Sequence, residues 1–178
     1  MPPPYSHTGD DAVPFPKRKH PRLKNYDYSQ DGFYYVTIHI APDGERLSEI
    51  LYNPDENTAK ECLTETGTIA CEHLLSLENR FSYVRVDKYV IMPTHIHMIL
   101  EFCRQPAGAS PRPTLSDVIG AFKSLTTRSC NKRFHTPGKK LFQNSFYEAV
   151  LRSDADYQAR WKYIEENPLK WYLNPEDI

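Results

Sequence analysis

The sequence has little that would mark a secreted, membrane-bound or redox protein. Only four cysteines occur among 178 residues, Cys62, Cys71, Cys103 and Cys130, and no two of them are spaced C-x-x-C. That argues against a zinc ribbon and against a dithiol redox motif. Scattered thiols with no leader ahead of them point to a reducing, cytoplasmic compartment. No apolar run approaches the roughly 20 residues that a membrane span needs, so no membrane partner is expected. The N-terminus, MPPPYSHTGDDAVPFPKRKH, lacks the apolar stretch of a secretory signal. It is rich in proline and polar residues, and residues 1–20 are expected to form a poorly ordered tail ahead of one domain over 21–178. No internal repeat is visible. A formal net charge of −1 argues against a non-specific polycation.

What is present reads as a globular chain, 39% hydrophobic and 25% charged. GFYYVTIHI (32–40) is aromatic and β-branched and predicts a strand. After the turn APDGER, LSEILYN predicts a second. Thr64 can cap a helix running to about Asn79. YVRVDKYVIM and HIHMILEF predict a tight hairpin about Pro93-Thr94. Thr114 with Asp117 resembles a capping box, followed by a helix that buries Leu115, Val118, Ile119, Phe122 and Leu125. LFQNSFYEAVLR predicts a strand. Ser153 or Asp154 can cap a last helix, with Tyr157, Trp161 and Ile164 as its core-facing stripe, and Pro168 is expected to stop it just after Asn167. The order ββαββαβα predicts an α+β domain in which one antiparallel sheet carries packed helices.

Charge is unevenly spread. Residues 41–80 hold nine acids against three bases, and residues 111–140 hold seven bases against one acid. Such a local excess of positive charge can bind phosphate in a near-neutral molecule. Lys123, Arg128, Lys132 and Arg133 lie on the polar faces of the helix after Thr114 and are the candidate nucleic-acid track. Lys17, Arg18, Lys19 and Arg22 form a second basic cluster.

The least expected feature is a pair of histidines inside the most apolar segment, YVIMPTHIHMILEF (89–102). Side chains alternate along a strand, so His95 and His97 share a face, about 7 Å apart, and can converge on one divalent ion. Burying two imidazoles without partners would be costly. Two histidines do not complete a metal site. Glu101 has the right parity but lies about 13 Å beyond His97 on a straight strand, and the helices after residue 113 contradict a cupin. The segment YIEEN offers Asn167, a hard oxygen donor suited to Mg²⁺ or Mn²⁺, with Tyr163 four residues earlier on the same helix face.

Taken together these residues resemble the single-tyrosine HUH transposases, in particular the REP-associated tyrosine transposases. The histidine–hydrophobe–histidine motif is His95-Ile96-His97. LSDVIGAFKSLTTRSCNKR resembles that branch's I-x-x-F-K-S segment. FQNSFYEAVLR followed by YIEENPLKW resembles its W-Q-x-x-[FY]-[YW]-E and Y-I-x-x-N-P signatures, and RLKNYDYSQDGFYYVTI resembles the opening of one subgroup. The likeness spans about residues 20–172. It implies a ferredoxin-like HUH endonuclease fold, a divalent metal (Mg²⁺ or Mn²⁺) on His95, His97 and Asn167, and Tyr163 as the nucleophile that forms a 5′-phosphotyrosine. It further implies single-stranded or REP-like hairpin DNA as partner, a monomer or homodimer, and a bacterial, nucleoid-associated protein. Phe142 stands in place of the branch's tryptophan, and Ala149 in place of a histidine found in many members. A relative that holds a DNA hairpin without cutting it is the alternative.

Overall fold

A computed structural model describes residues 27, 30–103 and 113–174. The expected tail 1–20, the basic cluster at 17–22 and nearly all of the loop at 104–113 lie outside the described residues. The elements in chain order are β1 (Gly32–His39), β2 (Ser48–Asn53), β3 (Thr58–Leu63), α1 (Glu65–Leu75), α2 (Leu77–Arg80), β4 (Val84–Ile91), β5 (His95–Phe102), α3 (Leu115–Phe134), β6 (Tyr147–Leu151) and α4 (Asp154–Leu173). The architecture is α+β, as expected. Among the described residues no helix is long and apolar enough to cross a membrane.

The main sheet has the order β4-β5-β1-β6, and every neighbour is antiparallel. The two central strands are those with the longest apolar runs, because only central strands are covered on both faces. Strand parity divides them. Tyr34, Val36 and Ile38 of β1, with Ile96, Met98, Leu100 and Phe102 of β5, join a core completed by Ala70 and Leu74 of α1 and Leu115, Val118, Ile119 and Phe122 of α3. Tyr35 and Ile99, of the opposite parity, pack with Ile164 of α4. The sheet therefore lies between α1 and α3 on one side and α4 on the other.

Local signals account for most boundaries. Thr64 Oγ1 accepts the Gly67 N–H at 3.1 Å and starts α1. Thr114 and Asp117 form the reciprocal capping box of α3, which ends on His135 in the left-handed region (φ 56°). Ser153 caps α4. Pro93 and Thr94 form the two-residue turn of the β4–β5 hairpin, closed by the Met92 N–H donating to the His95 carbonyl at 2.8 Å. On α3, Thr126 rather than Leu125 is fully buried. Its hydroxyl is satisfied by the Phe122 carbonyl, 2.9 Å away.

Four expectations are corrected. β2 does not pair with β1; it pairs with β3, a strand that the polar run TAKECL concealed, in a separate two-stranded sheet. That hairpin rests on α4, and Tyr52 stacks on Tyr172 with ring centroids 4.2 Å apart. The helix after Thr64 breaks at Ser76, whose hydroxyl donates to the His73 carbonyl. The last strand spans only Tyr147–Leu151, with a lone bridge from Phe142 to Ile40 before it. Pro168 does not stop α4, which runs on to Leu173. Pro168 is itself buried between the buried Asn167 and the half-buried Leu169, so packing against the sheet outweighs the one helical hydrogen bond that the ring removes.

Two helical glycines give a matched test of how tightly α1 is docked. A Cβ on Gly67 would lie 1.8 Å from the Leu47 carbonyl oxygen, whereas a Cβ on Gly120 of α3 meets nothing within 4 Å. Gly67→Ala should destabilise the fold by about 3 kcal/mol or more. Gly120→Ala should be neutral or stabilising by up to about 1 kcal/mol. Urea unfolding at unchanged slope measures both, and equal stabilities would contradict the close approach of α1 to Leu47.

Candidate metal and nucleic-acid site

The α4 side of the sheet is where the polar residues gather. His95 and His97 open β5 directly after the Pro93-Thr94 turn, and His39 and Thr37 of β1 lie directly across from them. The two imidazole centroids are 4.5 Å apart. Across this face runs α4, held down by the buried Ile164 and Pro168. Residues 160, 163, 167 and 171 of α4 follow a helical stripe, and the neighbours they meet agree with it. Trp171 lies 5.7 Å from the His95 ring, Tyr163 5.2 Å from the His97 ring, and the Arg160 guanidinium 4.8 Å from the centre of the Tyr35 ring. Asn167, between them, is 1% exposed.

Each histidine has one nitrogen engaged and one left over. His97 Nδ1 lies 2.8 Å from the Tyr35 hydroxyl oxygen and 2.9 Å from Thr37 Oγ1. His95 Nδ1 lies 3.2 Å from Thr94 Oγ1. When these oxygens accept an Nδ1 proton, the lone pair is on Nε2, as a metal ligand requires. His95 Nε2, His97 Nε2 and Asn167 Oδ1 are all buried, and none has a hydrogen-bond partner among the described residues. A buried acceptor left unmatched costs about 1–3 kcal/mol. Three such atoms together, two imidazole nitrogens and an amide oxygen, fit a divalent cation. Among the described residues there is no cluster of three His, Cys, Asp or Glu, so the donor set carries no formal charge.

Electrostatics keep that set neutral. Burial pulls the His95 imidazole down to about 4, assisted by His39 and partly opposed by the Asn167 side chain, which would hydrogen-bond the ring only in its protonated form. Burial pulls His97 down to about 2, with His95, His39 and Arg160 acting in the same direction. Both rings are therefore uncharged at neutral pH. Tyr35 is raised to about 12, chiefly by burial, so its hydroxyl stays protonated beside His97.

Tyr163 is half-buried beside His97, and the Lys170 ammonium lies 5.5 Å from its ring centre. The structure thus brings His95, His97, Tyr163 and Asn167 together within one chain. It does not bring the basic residues of α3 to them, because the sheet intervenes. Lys123 donates to the carbonyls of Gln143 and Asn144 at 2.5 and 3.0 Å. Arg133 pairs with Glu65. Arg128 and Lys132 are exposed and make no ion pair among the described residues. Arg128 lines a groove of about 470 Å³ with Lys123, Lys140, Phe142 and Phe146. On α4, Trp161 is 37% exposed beneath the Lys88 ammonium, so the expected core stripe holds for Ile164 and not for Trp161.

Sequence reasoning missed Arg160, Tyr35, Thr37, His39 and Lys170. Arg160 was within reach, since it lies three residues before Tyr163 on the same stripe. Tyr35 and Thr37 needed the β1–β5 register, which pairs residues about 60 positions apart. Ala149 lies directly across from Tyr35 on β6.

Comparison with known proteins identifies the family. The family described as "Transposase IS200 like" matches residues 56–167, more than half of the chain. An uncharacterized protein of Haemophilus influenzae is 27% identical over 169 residues, covering 86% of this chain and 89% of that one. A REP-associated tyrosine transposase solved bound to a REP hairpin shares the fold, with a TM-score of 0.59 at 19% identity, over 85% of this chain and 74% of its own. The matched segment begins in the β2–β3 turn, contains both histidines and the tyrosine, and ends on the asparagine that faces them: the chain belongs to the IS200-like transposases.

Proposed function

We propose that this protein is a metal-dependent single-strand DNA endonuclease and strand transferase of the REP-associated branch, acting on hairpin DNA with an unpaired flank. The observation that carries the reading is the set of three buried, unpartnered acceptors, His95 Nε2, His97 Nε2 and Asn167 Oδ1, beside Tyr163. These three would hold a Mg²⁺ or Mn²⁺ ion. When bound, the ion supplies Lewis-acid polarisation of a non-bridging oxygen of the scissile phosphate.

The remaining chemistry belongs to the chain. Tyr163 Oη attacks the phosphorus, forming a P–O(Tyr) bond as the P–O3′ bond breaks. The phenolic proton passes to water, and the departing 3′ oxygen takes a proton in return. The product is a 5′-phosphotyrosine and a free 3′-OH. One phosphodiester is exchanged for another, so a 3′-OH can attack in reverse, expel the tyrosine oxygen, which takes back a proton, and join strands without a nucleotide cofactor. The Lys170 ammonium lies 5.5 Å from the centre of the Tyr163 ring. Tyr35 and Thr37 keep the His97 ring oriented. A fold neighbour solved with a REP hairpin supports hairpin DNA as the substrate. On the opposite face of the sheet, Arg128 and Lys132 are the cations of the candidate track left open to a DNA backbone.

The first test is metal binding. His97→Ala should weaken Mn²⁺ affinity at least about tenfold, read by paramagnetic resonance of the free ion; unchanged affinity would remove the metal site. Tyr163→Phe should change stability by less than about 1.5 kcal/mol and keep DNA binding. It should lose the covalent adduct, a protein band carrying 3′-labelled DNA. A wild-type protein that binds hairpins tightly and forms no adduct with Mn²⁺ would instead mark a binding module. Arg128→Ala with Lys132→Ala should lower the salt dependence of DNA binding by about one to two units of slope. A slope unchanged from wild type would leave that face without a role in DNA binding.

A further inference from the structure

Besides Tyr163 and Asn167, the α4 stripe over the site carries Arg160, a cation with no role yet. We propose that Arg160 is a phosphate clamp, a catalytic residue whose guanidinium binds a non-bridging oxygen of the scissile phosphate; this rests on the strand-transfer reading above.

Three observations carry it. Arg160 lies one turn before Tyr163 on the stripe that faces the sheet, and it is half-buried there. Its guanidinium is held over Tyr35, 4.8 Å from the ring centre, and the Tyr35 hydroxyl is the group that touches His97. The side chain is thus fixed at the metal-ligand end of the sheet and does not wave in solvent. The second observation is its lack of an acid. The other cations of α4 are paired, Lys162 and Lys170 both with Glu166, and Lys88 of β4 reaches across to Glu165. Arg160 has no carboxylate partner among the described residues, although α4 is rich in glutamate and aspartate.

The third observation is the charge balance. The donor atoms at the site are two imidazole nitrogens and an amide oxygen, and the Arg160 guanidinium is held over Tyr35, whose hydroxyl touches His97. A guanidinium placed where a divalent ion should bind works against the ion. The arrangement is favourable only when an anion arrives to satisfy both. A phosphodiester does so with its two non-bridging oxygens, one for the ion and one for the arginine. The planar fork of a guanidinium suits phosphate oxygens better than an ammonium does.

A merely structural role, capping the Tyr35 ring, predicts different results. The proteins to compare are wild type, Arg160→Gln, Arg160→Lys and Tyr163→Phe. The probe is a labelled single-stranded oligonucleotide that carries a palindromic hairpin with unpaired flanks, supplied with Mn²⁺. Arg160→Gln should nick it at least about 100-fold more slowly in single turnover, and Arg160→Lys should recover part of the loss. Free Arg160→Gln protein should bind Mn²⁺ as tightly as wild type or more tightly, because a repelling cation is gone. In the Tyr163→Phe background, where no cleavage is expected, the oligonucleotide should raise Mn²⁺ affinity, and adding Arg160→Gln should reduce that enhancement about tenfold. This last measurement reads the clamp even when the probe is a poor cleavage substrate. Arg160→Gln nicking at the wild-type rate, or keeping the full enhancement of Mn²⁺ affinity by DNA, would overturn the proposal. So would a loss of Mn²⁺ binding by free Arg160→Gln accompanied by lower thermal stability. Adduct formation by Tyr163→Phe would instead overturn the underlying reading, whatever the arginine variants do.

Discussion

The docking of α4 across one face of the sheet is the constraint on which the site depends. His95 and His97 are buried only because α4 covers them, and Asn167 is buried only because Ile164 and Pro168 seat the helix there. The core on the other face gains nothing from this contact. Along the α4 interface the fold accepts three buried acceptors with no partner among the described residues, each a cost of about 1–3 kcal/mol. Apolar residues at those positions would have made a more stable interface. A polar set kept at that expense is a site held ready for a ligand.

What surrounds the three acceptors specifies the kind of ligand. Burial holds both imidazoles neutral, so their lone pairs are available at ordinary pH. The donors bring no charge to offset a divalent ion, and Arg160 lies close by with no carboxylate partner among the described residues. A site this short of negative charge binds a lone cation weakly. On the proposed function it would bind a cation together with a phosphodiester much better, since the anion compensates both the ion and the arginine. Substrate and metal should therefore reinforce each other, and the ion need not reside permanently on the free protein.

The legible part of this molecule was the part written in local periodicity. The two-residue period of HIHMILEF put His95 and His97 on one face, and the four-residue spacing in YIEEN put Tyr163 and Asn167 on another. The caps at Thr64, Thr114 and Ser153 were readable because a side-chain oxygen followed by a helical run has a local cause. Pairing was not local. LSEILYN follows β1 after a short turn, and nothing in it reveals that its partner is the polar TAKECL. Pro168 misled for the same reason: the ring's effect on the helix is local, while the burial that outweighs it comes from the sheet. Tyr35 and Thr37 became visible as partners of His97 only when β1 and β5 were in register. The cations of α3 were read correctly as a basic helix, yet a helix carries no mark of which side of a sheet it will cover.

That last point bears on how DNA is held. The acceptor cluster and Tyr163 lie on the α4 side, whereas Arg128 and Lys132 lie on the α3 side. Lys123 and Arg133 are committed to the protein itself, Lys123 to the segment that leads into β6 and Arg133 to α1. A thin strand lying in the catalytic cleft could not also reach the free cations of α3. A structured element with the width of a duplex stem could contact one side while its unpaired flank enters the other. The division of charge across the sheet thus favours a folded DNA over a plain single strand. On the proposed function, affinity would come from α3 with little regard to sequence, and chemistry from β5 and α4. Substitutions on the two faces should then act independently, because the sheet lies between them and they share no partner among the described residues.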